Sequence, residues 1–137
     1  LRLQFGDQLK ALEQRTDAQV SLLSELQEFY KKRAEIELDY SKNLDKLVKQ
    51  INAKHKSEKQ KRESWQLHSM HTLWKDLLDS TRRDSRCRAV LADLYLHYVS
   101  SKLAHHADDM VRISRKCREV GSVAHQEIGR VLNELHT

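Results

Sequence analysis

From Phe5 to Ile51, steps of alternating four and three residues land on fourteen positions, and ten of them are apolar. Leu9, Leu12, Leu23, Leu26, Tyr30, Tyr40, Leu44 and Leu47 fall on this count, and Thr16, Gln19, Arg33 and Glu37 interrupt it. Val20, Ala34, Ile36 and Leu38 stand beside the interruptions, so the stripe widens there. A 3.5-residue repeat sustained this long predicts a coiled-coil-like or long bundle helix. The chain has no proline and three glycines, and helix-forming residues dominate it, which argues against a β domain. The fold class predicted is all-α.

The segment Asn52–Ser64, "NAKHKSEKQKRES", has no aliphatic residue larger than alanine and is read as a basic joint. Ser64 can cap a second helix opening at Trp65. That helix carries Leu73, Leu77, Cys87, Leu91, Leu94 and Tyr98, then slips in phase and resumes through Leu103, Ala107, Met110 and Cys117 to Leu135. Its later part is rich in small residues, which permit close helix approach. The expected layout is a helix over about 3–54, the joint over about 52–64, and a helix over about 65–137.

A first helix of about 50 residues at ~1.5 Å each is roughly 75 Å long, whereas a compact ball of this chain length is about 37 Å across. The expected module is therefore elongated, and two helices cannot cover both of their apolar stripes. Later chain or a second copy is expected to complete the bundle. Leu1 opens directly into the helical pattern and no stop signal marks Thr137, so a piece of a longer protein is expected.

Charged residues make up 33% of the chain, the net charge is +5 and no apolar run reaches membrane-spanning length. The charge is unevenly spread. Residues 31–62 hold eleven cations against five acids, a local excess of +6. Further foci are Arg82, Arg83, Arg86 and Arg88, and then Arg112, Arg115, Lys116 and Arg118. A single charge run is ordinarily a solvated face. Concentration along half of one long helix favours an anionic partner, and a membrane attracts roughly 1 kcal/mol per basic residue near its surface. Nucleic acid is disfavoured, because Trp65 and Trp74 sit at or beside the apolar face and no groove-reading basic helix appears.

Catalysis finds little support. His68 with His71, and His105 with Asp109, each supply two metal ligands where a site needs three or four, so no metal or cofactor is expected. No phosphate-binding loop, dinucleotide fingerprint or hydrolase motif is present. Cys87 lies between two arginines, which can lower a thiol pKa, but its place on the helical pattern is read as core-facing. Cys87 and Cys117 are expected to be reduced thiols.

The stretch Glu25–Leu47, "ELQEFYKKRAEIELDYSKNLDKL", resembles the signature of the FCH region that begins F-BAR domains. "WKDLLDSTRRDSR" and "RISRKCREVGSVAHQEIGRVLNELHT" are similar to one branch of that family, the Slit–Robo Rho GTPase-activating proteins. The resemblance implies that 1–137 is the N-terminal part of an F-BAR domain, with the FCH region over about 1–100: an elongated antiparallel long-helix bundle, dimeric and incomplete here. It implies a homodimer, or a heterodimer with relatives, that shapes anionic phospholipid membrane. It implies a cytoplasmic protein peripheral at the plasma membrane, linked to the actin cytoskeleton and cell migration. Rho-family GTPases would be engaged by domains outside this chain, which is itself no enzyme. The lipid contacts implied are Lys31, Arg33, Lys49, Lys54 and Lys56, joined by Arg82, Arg83 and Arg86 from the branch pattern. Arg33 also has Glu37 one turn away as an alternative partner. The competing expectation is a spectrin-like or coiled-coil protein scaffold without lipid binding.

Overall fold

The computed structural model describes residues 2–137, with side chains from Leu3 onward. The expected helical start at Leu1 lies outside the described residues. Helix α1, Arg2–Ser57, is one uninterrupted element of 56 residues. It ends where Ser57 Oγ takes up the Lys54 carbonyl (2.9 Å), and a turn over 58–62 follows. A 3₁₀ turn, Glu63–Leu67, leads into α2, Ser69–Asp93. The second helix thus starts four residues later than the capping pattern at Ser64 suggests. The physical reason is at the joint: His68 is extended (φ −105°, ψ 137°), and the tight turn before it lets Trp65 fold back against His55 and Trp74.

A π-helical segment, Leu94–Val99, separates α2 from α3, Ser100–His136. The phase slip between Tyr98 and Leu103 meets this segment. Its i→i+5 bonding turns more residues per revolution than an α-helix and shifts the apolar face that follows. Among the described residues there is no strand.

The chain divides into two compact units, residues 30–99 and residues 1–29 with 100–137. In the unit 30–99, α1 and α2 pair antiparallel. Tyr30 meets Tyr95 at 5.5 Å between ring centroids, Glu37 meets Arg88, Ser41 meets Ser85, and His55 meets Trp74 at 5.0 Å. The buried positions on α1 here are Ala34, Glu37, Ser41 and Val48, and Ser85 and Ala92 lie opposite. The 3.5-residue spacing is kept, but alternate positions stand one residue beyond the hydrophobic count: Ala34, Ser41 and Val48 make the seam where Arg33, Tyr40 and Leu47 were counted. Short side chains let the two backbones approach, and Tyr40 and Leu47 are left about half exposed (48% and 47%). Cys87 is exposed too, contrary to its expected core-facing place.

In the other unit the start of α1 packs on α3. Phe5 stacks on His125 at 6.0 Å and 12°, Arg118 reaches Glu13 at 2.9 Å, and the Leu9 methyls cover buried Gly121. A Cβ on Gly121 would stand 2.6 Å from Leu9 Cδ2, so the glycine is what admits that leucine. Gly129 is buried as well, in keeping with the small-residue pattern.

Candidate lipid-binding surface

The two sides of the α1–α2 pair follow from one contact. Ser41 Oγ donates to the Ser85 carbonyl at 2.7 Å, and Ser85 Oγ donates to the Ser41 carbonyl at 2.8 Å. This reciprocity marks a local two-fold axis, so residues at equal offsets from Ser41 and Ser85 emerge on the same side of the pair.

One residue after each serine come Lys42 and Arg86, both exposed. Lys49 and Lys56 repeat Lys42 at intervals of two helical turns, and Lys46 lies between them. Lys42, Asp45, Lys46 and Lys49 line one shallow hollow with Gln50 and Ala53, so these lysine stems lie side by side. Lys31 stands three turns before Lys42, and Arg82 flanks the seam from α2. Together these form a lysine side of the unit. Lys49 Nζ pairs with Asp45 at 2.6 Å and Arg82 with Asp79 at 3.6 Å. Among the described residues Lys31, Lys42, Lys46, Lys56 and Arg86 hold no ion pair.

The opposite side begins one residue before each serine, with Tyr40 and Asp84. Ile36 and Leu47 extend it on α1, and Leu73 and Leu77 on α2, all exposed. Arg33 and Lys54 fall on this leucine side. The Arg33 guanidinium pairs with Glu37 at 3.5 Å and lies 5.9 Å from the Tyr95 ring centroid, which is the alternative partnership noted from spacing. Arg88 reaches the same carboxylate at 3.3 Å and rests over Tyr40. Glu37, only 6% exposed, therefore carries two guanidiniums.

Of the eight residues expected at lipid, Lys31, Lys49, Lys56, Arg82 and Arg86 share the lysine side. Arg33 and Lys54 are across from it, and Arg83 points out along the far edge of α2 from α1. Lys42 and Lys46 join the surface although the reading by resemblance did not include them. Their signal was present as the 42–46–49–56 spacing, whose steps of four, three and seven keep one face.

At the joint, His55, Trp65, His71 and Trp74 form an aromatic cluster. The two indoles meet edge-on at 6.2 Å, and the Arg62 guanidinium sits 4.3 Å over Trp65. Among the described residues no three His, Cys, Asp or Glu side chains gather to hold a metal ion, and no helix is long and apolar enough to cross a membrane.

The chain is similar along its whole length to SLIT-ROBO Rho GTPase-activating protein 3 of Homo sapiens, with 38% identity covering 13% of that relative. It is 40% identical to SLIT-ROBO Rho GTPase-activating protein 2 of Danio rerio, again over 13% of the relative. Rho GTPase-activating protein 4 of Homo sapiens is 32% identical, with 15% of its length covered. The chain thus spans about an eighth of the length of the first of these relatives. The segment it matches is not itself catalytic. The family model FCH, described as the Fes/CIP4, and EFC/F-BAR homology domain, matches residues 8–90, and the chain belongs to that family.

Proposed function

We propose that this chain is a membrane-associating, curvature-shaping dimerisation module of a Rho-family GTPase activator. The observation that carries the reading is the sorting of charge and oil in unit 30–99: Lys42, Lys46, Lys49, Lys56 and Arg86 on one side, exposed Ile36, Leu47, Leu73 and Leu77 on the other. Anionic phospholipid meets the lysine side, and a second copy, or a relative, covers the leucine side. At roughly 1 kcal/mol per cation near an anionic surface, the lysine side of one chain holds weakly. Two copies acting together hold firmly, so association and lipid binding reinforce each other.

The family match supports association with a membrane, and the names of the relatives support a part in Rho GTPase signalling. A place at the cytoplasmic face of the plasma membrane, in control of the actin cytoskeleton and cell migration, is the setting proposed for it. GTPase contact belongs to domains outside this chain.

The test is co-sedimentation with vesicles containing phosphatidylserine. The wild-type chain pellets at low salt and is released as ionic strength rises. The fourfold variant Lys42→Glu, Lys49→Glu, Lys56→Glu, Arg86→Glu stays in the supernatant with its helical circular dichroism intact. Pelleting of that variant at the wild-type level rejects the lipid reading and leaves a protein-binding helical scaffold.

A further inference from the structure

The leucine side of unit 30–99 is apolar apart from a few charges. Besides buried Glu37, this side carries Asp84, next to Ser85 on α2, exposed and without an ion pair among the described residues. Arg88 stands one turn further along the same helix, spaced to pair with Asp84. Instead its guanidinium is turned onto Glu37, which Arg33 also holds. One carboxylate facing two guanidiniums leaves a unit of positive charge on this side, and Asp84 leaves a unit of negative charge close by. The Arg88 guanidinium also lies 5.5 Å over the Tyr40 ring centroid.

A surface carrying an unpaired acid beside a site where two guanidiniums share one carboxylate has an excess of each sign and is complementary to itself. A two-fold contact brings the donor of each copy to the acceptor of the other. Leu77 and Leu91 lie on either side of this charged centre along α2, so apolar surface flanks it in both directions. Burying a lone carboxylate in such a contact is unfavourable unless a cation receives it. The cations available on this side are the Arg33–Arg88 pair and Lys54, and Lys54 is near the joint, thirteen residues beyond Ser41. We infer that the second copy docks on the leucine side with its Asp84 received by the Arg33–Arg88 pair of the first, so that this ionic contact sets the register of the apolar interface. The inference rests on the dimer reading above and adds which residues fix how the copies align.

Sedimentation equilibrium of the 137-residue chain tests it. Asp84→Lys is expected to weaken self-association by roughly tenfold or more, since a close interfacial ion pair is replaced by two like charges. Asp84 holds no ion pair among the described residues, so helical content and thermal midpoint should stay put. Arg33→Glu is expected to weaken association as well, and the double exchange Asp84→Lys with Arg33→Glu to recover part of it, which a merely structural role for either residue would not produce. The control Leu77→Asp abolishes association if the leucine side is the interface. Unchanged association of Asp84→Lys, with Leu77→Asp monomeric, overturns the ionic register and leaves the dimer reading standing. A wild-type chain that stays monomeric overturns both.

Discussion

Ser41 and Ser85 exchange hydrogen bonds across the α1–α2 contact, each hydroxyl donating to the other residue's backbone carbonyl. Both side chains are buried, and the hydroxyl oxygens are 3.3 Å apart. Two polar groups that would be costly alone satisfy each other, and their small size sets the helix spacing. Replacing Ser41 by Ala is expected to cost about 1 kcal/mol through the lost bond. Ser41→Leu, which forces the helices apart, is expected to cost about 1–3 kcal/mol. Urea unfolding followed by circular dichroism checks both.

Glu37 binds α1 to α2 through charge. Both guanidiniums that meet it are close to half exposed, 47% for Arg33 and 45% for Arg88, so solvent screens the pairs and their worth is well below that of a fully buried bridge. Glu37→Gln is expected to destabilise the unit by about 1–2 kcal/mol, because it leaves two cations facing each other over a buried amide. A double-mutant cycle with Arg88→Met should show a coupling energy of about 0.5–1.5 kcal/mol. Additive single costs would mean that the contact contributes only packing.

Gly121 supplies the third expectation. A larger residue there meets the Leu9 methyls, and Leu9 of α1 yields by turning away from α3. Gly121→Leu is expected to destabilise by about 1–3 kcal/mol, despite the helix-propensity gain of about 1 kcal/mol from losing a glycine. Hydrogen exchange at the start of α1 should speed up in that variant while residues in the Ser41–Ser85 region remain protected.

Charge reversal separates the sides of the pair. Single reversal of Lys42 or Lys46 is expected to weaken vesicle binding several-fold, by loss of roughly 1 kcal/mol of attraction per site and added repulsion. Reversal of Arg83, on the far edge of α2, should have a smaller effect. Equal effects of Lys42→Glu and Arg83→Glu would mean that net charge alone matters, without a defined surface.

Much of the architecture was legible in the sequence because periodicity and breakers are local. The long first helix, the polar joint and the slip past Tyr98 each leave a pattern that needs no knowledge of the partner. The seam was legible only at every second position. Tyr30 and Glu37 belong both to the hydrophobic count and to the contact with the returning chain, and Leu44 and Ile51 on the same count are half-buried. Between them the count prefers the largest apolar residue, whereas the contact selects Ala34, Ser41 and Val48, since close packing rewards small volume. The same difference carried Cys87 to the surface. The side occupied by Arg82, Arg83 and Arg86 depends on how α2 is turned against α1, and the Ser41–Ser85 register is tertiary information that no window of sequence contains. Lys42 and Lys46 were within reach of spacing alone, had lysines been tested for a shared face as leucines were.

The small residues at the seam have a further consequence. Because Ala34, Ser41, Val48, Ser85 and Ala92 line the seam, the exposed Ile36, Leu47, Leu73 and Leu77 take little part in forming the hairpin and are held in reserve for whatever comes next to it. Folding of the single chain and its later assembly thus draw on different sets of atoms, and natural variation can retune one without disturbing the other.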